Sequence, residues 1–232
     1  MSLPVLEMPL SSIVLPSGQK VQIRPFTVKE EKLLLMVNDA KQAKEVNDVL
    51  RQIISNCTNG KIDSYKLPLV DMEYIFVNLR KLSVGETIDH IYTCPSCKMK
   101  FESTLDLNKM AVHNQKKDNV VKIDDQIAFE MRLPSQTDEN NYTEEDIQSR
   151  IMNYMVDCVE KIFVGEETHE AKNLTREEVS DFIDSLPGKS LEELIKFFLE
   201  LPYCYIEDEI KCPKCNKKKK IRLEGMASFF VT

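Results

Sequence analysis

The sequence IYTCPSCKMKFES at residues 91–103 recurs in altered form as EIKCPKCNKKKKIRL at residues 209–223. In both copies an extended lead-in precedes a Cys-Pro-x-Cys motif, and a second extended stretch follows it. Extended stretches on both sides of a tight turn predict two antiparallel strands joined by that turn. The repeat therefore predicts two similar hairpins, one near the middle of the chain and one near its C-terminal end.

The two motifs supply Cys94, Cys97, Cys212 and Cys215. A Cys-Pro-x-Cys turn brings both of its sulfurs to one side, and backbone N–H groups after the first cysteine can donate to the thiolates. Four thiolates complete the closed tetrahedral ligand set of a structural zinc ion. We therefore predict a structural zinc site at these four cysteines, although iron accepts the same ligand set.

Two other kinds of cysteine site are disfavoured. A dithiol redox centre needs a helix N-terminus to lower the pKa of its nucleophile, whereas both motifs here run into β-like sequence. A catalytic zinc would need an open coordination position with acid–base groups nearby. The histidines are scattered without ligand spacing: His90, His113 and His169. The remaining cysteines lie on or beside apolar helical patterns and are predicted to be small core residues: Cys57, Cys158 and Cys204.

Composition indicates a folded protein from a reducing compartment. Of 232 residues, 42% are apolar and 30% charged, and seven cysteines include two close pairs, which indicates metal binding before disulfides. No apolar run reaches the length of a membrane span, and the first residues lack the basic and apolar regions of a signal peptide. We therefore expect a cytoplasmic location, or a particle assembled in a cytoplasm, and no membrane partner.

A lysine run, Lys217–Lys220, follows the second motif directly. It could bind phosphate, since zinc ribbons often bind nucleic acid. It could also neutralise the net charge of −2 that four thiolates and one zinc ion leave, together with Lys98, Lys100 and Lys214, and a protein contact is a third interpretation. No aromatic residues interleave the lysines, and the chain carries a formal charge of −7. We therefore favour neutralisation and expect no nucleic-acid partner.

Helical patterns dominate the rest of the chain. Apolar residues recur at spacings of three and four, as at Ile147, Ile151, Met155, Val159 and Ile162, and helix starts are marked by Thr or Ser followed three residues later by an acid. Those starts pair Thr27 with Glu30, Thr143 with Asp146, Thr175 with Glu178, and Ser190 with Glu193. Hairpins are predicted at residues 12–24 and 120–134, and loops at 108–120 and 135–145. The predicted fold class is α+β, mostly helical, with short β-hairpins and a four-cysteine zinc ribbon completed by the C-terminal segment.

Three parts follow from this pattern. Residues 1–86 form an N-terminal hairpin plus helices, residues 87–107 with 205–224 form a split zinc ribbon, and residues 108–204 form a mainly helical insertion. Because 114 residues separate Cys97 from Cys212, closing that loop costs about 4 kcal/mol. Structural zinc contributes apparent binding energies of about 10–16 kcal/mol. The metal is therefore expected to join the two halves of the ribbon.

No catalytic constellation is recognisable in the chain. The sequence contains no G-x-S-x-G and no H-E-x-x-H motif, and no acidic cluster has metal-ligand spacing. Paired acids such as Glu177 and Glu178 lie in first helical turns, where they favour the helix dipole. The sequence therefore predicts a binding or structural protein rather than an enzyme.

The N-terminal half carries a set of motifs in a fixed order. They are Leu15-Pro16-Ser17-Gly18, IRPFTVKEEK at 23–32, DMEYIFVNLR at 71–80 and SVGE at 83–86, followed by Cys94 and Cys97. Over about residues 12–107 this order resembles the baseplate hub and hub-assembly proteins of T4-like contractile-tailed phages. Four polar motif residues have no helix-capping or turn role, and we predict that they form a buried ionic network or a partner surface: Arg24, Glu73, Arg80 and Glu86.

The resemblance implies a non-enzymatic structural or assembly component of the central baseplate hub. Its partners would be other tail proteins, such as the hub trimer, the tape-measure protein or tail-tube initiators. Its location would be the virion tail baseplate, and the host cytoplasm during assembly. The family offers no catalytic residues to transfer. The alternative from another class is a zinc-ribbon regulator that binds nucleic acid.

Overall fold

The computed structural model describes residues 6–37, 43–115, 118–142 and 146–225. About 37% of the structure is helical and about 30% is strand, and the strands form several antiparallel sheets. The predicted mostly helical fold is therefore wrong, because strands contribute nearly as much of the structure as helices do. No helix in the described part of the chain combines the length and apolar character that a membrane crossing requires.

The described helices are α1 Val28–Val37, α2 Ala43–Cys57, α3 Leu69–Ser83, α4 Gln136–Asn141, α5 Ile147–Asp157, α6 Arg176–Asp184 and α7 Ser190–Leu199. The described strands are β1 Ser11–Val14, β2 Lys20–Ile23, β3 Thr87–Thr93, β4 Lys100–Asp106, β5 Ala111–His113, β6 Val120–Lys122, β7 Ile127–Met131, β8 Val159–Val164, β9 Glu167–Glu170, β10 Tyr203–Lys211 and β11 Lys218–Glu224.

The differences between the predicted and the observed elements have identifiable causes. The apolar face expected on one helix spans two elements, because α5 ends at Asp157 and Val159 and Ile162 lie in β8. The sequence VEKIFV is rich in β-branched and aromatic residues, which favour strand, but apolar spacing alone cannot locate such a junction. The predicted loop at 108–120 contains β5, which pairs with β10 through Val112 and Cys204. The predicted loop at 135–145 contains α4.

Two of the predicted helix caps are confirmed and one is wrong, although α7 does begin at Ser190 as predicted. The carboxylate of Glu30 accepts the Thr27 N–H at 2.8 Å, and Thr175 forms a complete capping box with Glu178. Ser190 makes no cap, because it is already the first residue of α7 and its side chain is buried. Thr143 lies outside the described residues, whereas Asp146 caps α5 by accepting from the N–H groups of Gln148 and Ser149.

The described residues divide into two compact units. The first draws on residues 1–64, 70–115 and 203–232, and the second on residues 65–69 and 116–202. The second unit is thus nearly continuous in sequence, whereas the first is assembled from segments that lie far apart along the chain.

In the first unit, the β1–β2 hairpin lies with α1, α2 and α3. The hairpin turns at Gly18, whose φ of 91° is a conformation that glycine adopts without strain. The Ser17 N–H donates to Asp71 at 3.0 Å, and the Arg24 N–H donates to the Cys57 carbonyl at 2.9 Å, so both ends of the hairpin are fixed to helices. Fully buried side chains of this part include Ile23, Leu50, Ile53, Met72, Ile75, Phe76 and Leu79.

The predicted hairpins around both Cys-Pro-x-Cys motifs are present in the same unit. β3 pairs with β4, and β10 pairs with β11 and with β5 to give the strand order β11-β10-β5. The inner faces of the two hairpins share one apolar cluster, whose buried members are Val77, Ile88, Leu105, Leu107, Ile206, Ile210 and Ile221. Tyr92 and Phe101 pack against this cluster at the end nearer the turns. Their rings form an edge-to-face pair with centroids 5.7 Å apart.

The second unit packs helices on an antiparallel sheet of order β6-β7-β8-β9. The predicted hairpin at 120–134 corresponds to β6 and β7 of this sheet. α5, α6 and α7 contribute to an aromatic-rich core that includes Phe129, Met131, Tyr154, Met155, Phe197 and Phe198. Beside it, Arg132 donates to both carboxylate oxygens of Asp138, at 2.6 and 2.9 Å, and to the Asp157 carbonyl.

Candidate metal centre

The two Cys-Pro-x-Cys turns have the same backbone hydrogen bonds. In each turn the N–H of the first cysteine donates across the hairpin, and the N–H four residues later donates back to that cysteine's carbonyl. The bonds are Cys94 to Met99 (2.8 Å), Lys98 to Cys94 (2.8 Å), Cys212 to Lys217 (3.0 Å) and Asn216 to Cys212 (2.9 Å). The sequence repeat is therefore a structural repeat as well.

The residue after the second cysteine of each turn adopts a left-handed backbone conformation. The φ angle is 59° at Lys98 and 56° at Asn216. Asparagine tolerates this region, whereas lysine carries the steric cost of a Cβ close to the carbonyl oxygen. Both turns keep the conformation despite this difference in residue type.

The turns bring all four predicted cysteine sulfurs together. The sulfurs lie within 4.8 Å of one another, with Cys94 3.7 Å from Cys215 and Cys97 3.5 Å from Cys212. A tetrahedral metal with metal–sulfur bonds of about 2.3 Å places its sulfurs about 3.8 Å apart. All four are free thiols, and the donor set therefore fits one zinc-sized ion.

Backbone N–H groups aimed at the sulfurs favour thiolates in the first position of each turn. The Cys97 N–H, together with the Ser96 N–H, lowers the pKa of Cys94 to about 6. Desolvation acts in the opposite direction but is outweighed. The N–H of Cys215, with that of Lys214, likewise lowers the pKa of Cys212. At Cys97 the Met99 N–H also favours the thiolate, but desolvation and the three neighbouring sulfurs raise the pKa to about 11. A cation at the centre would relieve that repulsion between sulfurs.

The cluster is closed to other protein ligands. Among the described residues, the four cysteines are the only group of metal-ligating side chains gathered within reach of one ion. Cys94 and Cys212 are buried, and Cys97 and Cys215 are half-buried. A closed tetrahedral sulfur site is typical of a structural metal, because a catalytic metal keeps one position open for water or substrate.

The other candidate ligands lie elsewhere. His113 packs on Tyr203 with ring centroids 5.0 Å apart, His169 lies 3.4 Å from Glu167 in the second unit, and His90 lies on β3. As predicted, the remaining cysteines are fully buried core residues: Cys57, Cys158 and Cys204. Burial raises the pKa of Cys57 and of Cys158 to about 12, so these thiols stay protonated.

The four polar motif residues of the N-terminal half have different surroundings in the described structure, and Arg80 is half-buried on α3. Arg24 pairs with Glu30 at 3.1 Å, Glu73 accepts the Cys204 N–H at 2.9 Å, and Glu86 is exposed. Glu30 was identified only as a helix cap, yet it is almost fully buried and also accepts from Asn56 at 3.2 Å. The Arg24 and Thr27 hydrogen bonds outweigh desolvation and lower the pKa of Glu30 to about 2. Sequence spacing predicted the cap but carried no signal for the long-range partner.

Comparison with known proteins gives one family. The family described as T4 bacteriophage base plate protein matches residues 8–231, which includes both hairpins and all four cysteines. No curated protein and no solved structure matches the chain. The resemblance seen over residues 12–107 is therefore confirmed at the level of the family and extends along almost the whole sequence. The chain belongs to the T4 bacteriophage base plate protein family.

Proposed function

We propose that the chain is a non-enzymatic structural or assembly component of the central hub of a T4-like phage baseplate. Membership of the family implies a phage baseplate component located in the virion tail and in contact with other tail or baseplate proteins. The finer assignment to the hub is supported by the ordered motifs at residues 15–18, 23–32, 71–80 and 83–86. The hub trimer, the tape-measure protein and tail-tube initiators are the proposed partners, met first in the host cytoplasm.

We further propose that Cys94, Cys97, Cys212 and Cys215 hold one structural zinc ion and form a split zinc ribbon. The single observation that carries this proposal is the geometry of the four sulfurs, which lie within 4.8 Å of one another and form two pairs across the hairpins at 3.5 and 3.7 Å. When bound, the metal would neutralise thiolate charge and tie the two turns together. The protein supplies the four sulfurs, the N–H groups that favour thiolates and the apolar cluster beneath the turns.

The proposed role of the site is to join segments that are distant in sequence. The 114 residues between Cys97 and Cys212 make association of the hairpins costly by about 4 kcal/mol, which a structural zinc ion outweighs. We keep as a proposal the three functional parts defined above: residues 1–86, the ribbon at 87–107 with 205–224, and residues 108–204.

A nucleic-acid-binding zinc-ribbon regulator is the alternative, and Lys217–Lys220 is the feature that favours it. All four lysines are exposed. This alternative predicts that the protein binds DNA or RNA. The affinity should fall steeply as the salt concentration rises and should be lost when these lysines are substituted.

Mass spectrometry of purified phage particles, together with metal quantitation on the isolated protein, tests the proposal. We expect the chain in tail or hub subassemblies and one zinc per chain, with the cysteines reacting with thiol reagents only after chelation. A chain that is missing from particles and from every tail intermediate would overturn the hub assignment. Fast thiol reaction without chelation, in metal-replete protein, would overturn the zinc assignment independently.

A further inference from the structure

The two Cys-Pro-x-Cys turns and the starts of the strands that follow form a basic tip. We define the basic tip as residues 94–101 and 211–220, which contain eight lysines and no acidic residue. Every one of these lysines is exposed: Lys98, Lys100, Lys211, Lys214, Lys217, Lys218, Lys219 and Lys220. The concentration of one charge sign stands out because the whole chain carries a formal charge of −7.

Only part of this charge is balanced within the molecule. Lys218 pairs with Glu209 at 2.6 Å and Lys220 pairs with Glu207 at 3.4 Å, both across the β10–β11 hairpin. Within the ranges that the structure describes, the other six lysines have no ion-pair partner. A zinc tetrathiolate carries a charge of −2, so neutralisation of the metal centre accounts for two of the six. The remaining positive surplus, about four charges, needs a different explanation.

A small cleft lies within the basic tip. It has a volume of about 100 Å³ and lies between the two hairpins, and its walls combine lysines with apolar side chains and two of the cysteines: Tyr92, Cys94, Pro95, Ser96, Phe101, Ile210, Cys212 and Lys217–Lys219. A water molecule takes about 30 Å³ of liquid volume, so the cleft has room for a side-chain carboxylate in place of water. The cysteine sulfurs and apolar side chains on its walls, however, do not favour a carboxylate inside the cleft, so the exposed lysines around it are the groups that an acidic partner would meet.

We propose that the basic tip docks onto an acidic surface of another baseplate protein, whose carboxylates would contact the exposed lysines. This inference rests on the proposed function, because it names the chemistry of one hub contact. Complementary charge would steer the encounter and fix the orientation of the two proteins. The molecule itself shows the recognition mode, since Lys218 and Lys220 already bind carboxylates.

An acidic protein fits the basic tip better than nucleic acid does. All of the basic residues are lysines, whereas the planar guanidinium of arginine is the usual group for bidentate phosphate binding. The aromatic rings at the basic tip, Phe101 within it and Tyr92 beside it, are half-buried and pack on each other, so they offer little platform on which bases could stack.

Binding to two polyanions discriminates these partners. The probes are a fluorescein-labelled oligoglutamate peptide and a labelled DNA duplex, measured by anisotropy with zinc-loaded protein at low salt. The triple variant K214E/K217E/K219E is compared with K29E/K122E/K189E, which changes three exposed lysines outside the basic tip and gives the same net charge. We expect the first variant to bind the peptide at least about tenfold more weakly and the control to stay within about twofold. Equal losses in both variants, or binding to DNA in preference to peptide, would overturn the proposal.

The same variants in the phage test whether the surface is used. We expect K214E/K217E/K219E to block tail assembly, and a compensating acid-to-lysine change in another tail protein to restore it. The neutral variant K214Q/K217Q/K219Q, checked for zinc content, separates loss of charge from loss of folding. Normal assembly of the glutamate variant would overturn the docking proposal and leave the hub role standing. Absence of the wild-type chain from all tail intermediates would instead remove the hub role, so the two failures are distinguishable.

Discussion

The paired hairpins of the first unit differ from the second unit in the features that stabilise them. The hairpins bury a modest aliphatic cluster around Ile88, Leu105 and Ile206, and they bring four sulfurs together at one end. The second unit buries large aromatic side chains such as Phe129, Phe197 and Phe198 and gathers no such ligand set among its described residues. The cysteine cluster therefore joins segments that lie far apart in the sequence, whereas the aromatic core lies in a unit that is nearly continuous in sequence.

The difference follows from chain entropy. β3–β4 and β10–β11 are each local hairpins, but their mutual contact closes a loop of more than a hundred residues, and isolated two-stranded hairpins are marginal in water. The second unit pairs its strands across shorter connections, the longest of which runs from the end of β7 at Met131 to the start of β8 at Val159, and we expect burial of apolar area to suffice there. The comparison predicts that metal removal and core mutation act on different halves of the molecule.

Loss of one proposed metal ligand should have the largest effect. We expect Cys212→Ser, or chelation of the wild type, to abolish cooperative structure in the paired hairpins, because the loop cost of about 4 kcal/mol is no longer offset by metal binding. Hydrogen exchange read by mass spectrometry should show lost protection at residues 87–106 and 203–224. Protection at residues 127–131 and 159–164 should remain.

Cys158→Ser is the matched control for that experiment. Cys158 is fully buried in the core of the second unit and lies outside the sulfur cluster. A hydroxyl there without a partner should cost about 1–3 kcal/mol and act on the second unit alone. If both serine variants lost protection in the same segments, the contrast between the two regions would be refuted.

Truncation of the second core should give the next largest effect. Phe129 is fully buried on β7, with its ring 6.0 Å from that of Phe182. We expect Phe129→Ala to destabilise the second unit by about 3–5 kcal/mol through lost burial and the cavity left behind. Urea unfolding should report this loss, while the zinc content stays at one per chain. A loss of zinc in parallel with the core would show that the two units fold as one.

Features that depend on local spacing could be predicted from the sequence, whereas features that depend on tertiary contacts could not. The four cysteines, both hairpins around them and the Thr175 cap depend on local spacing, which a single sequence displays. The junction between α5 and β8 at Cys158 could not be predicted from the sequence. The helical spacing of apolar residues continues from α5 into the buried strand β8, so it gives no sign that the helix ends. β5 was missed because a short polar stretch becomes a strand only by pairing with β10, about ninety residues later. The partners of Arg132 and Glu73 are likewise set by tertiary contacts and leave no local pattern.

Two buried carboxyl groups allow a smaller test, one in each unit. Desolvation raises the pKa of Asp138, but hydrogen bonds from Arg132 and Ser135 outweigh it and hold the pKa below its usual value. That contribution is present above the unfolded-state pKa of about 4 and is lost as pH falls through the folded-state value. We expect Asp138→Asn to cost about 2 kcal/mol at pH 7 and progressively less in acid, as measured by urea unfolding.

Asp71 in the first unit should respond with the opposite sign. Its Oδ1 accepts from Ser17, but its Oδ2 is buried with no hydrogen-bond partner among the described residues, and burial raises the pKa of Asp71. A raised pKa means that ionisation opposes folding, so stability falls as pH rises above about 4. Asp71→Asn should therefore equal or exceed the wild type at pH 7. A loss as large as that of Asp138→Asn would contradict this difference between the carboxyl groups.

The smallest predicted effect concerns the two Cys-Pro-x-Cys turns themselves. Lys98 has a left-handed φ of 59° where Asn216 occupies the equivalent position at 56°. Relief of the lysine's steric cost, about 1–2 kcal/mol, exceeds the extra chain entropy of glycine, so Lys98→Gly should stabilise the hairpins by about 0.5–1 kcal/mol. Asn216→Gly should change little, because asparagine already tolerates the conformation. Zinc affinity measured by competition with a chelator should rise for the first variant alone. Equal affinities would mean that the turns gain their geometry only from the metal, and that the hairpins are less preformed than their hydrogen bonds indicate.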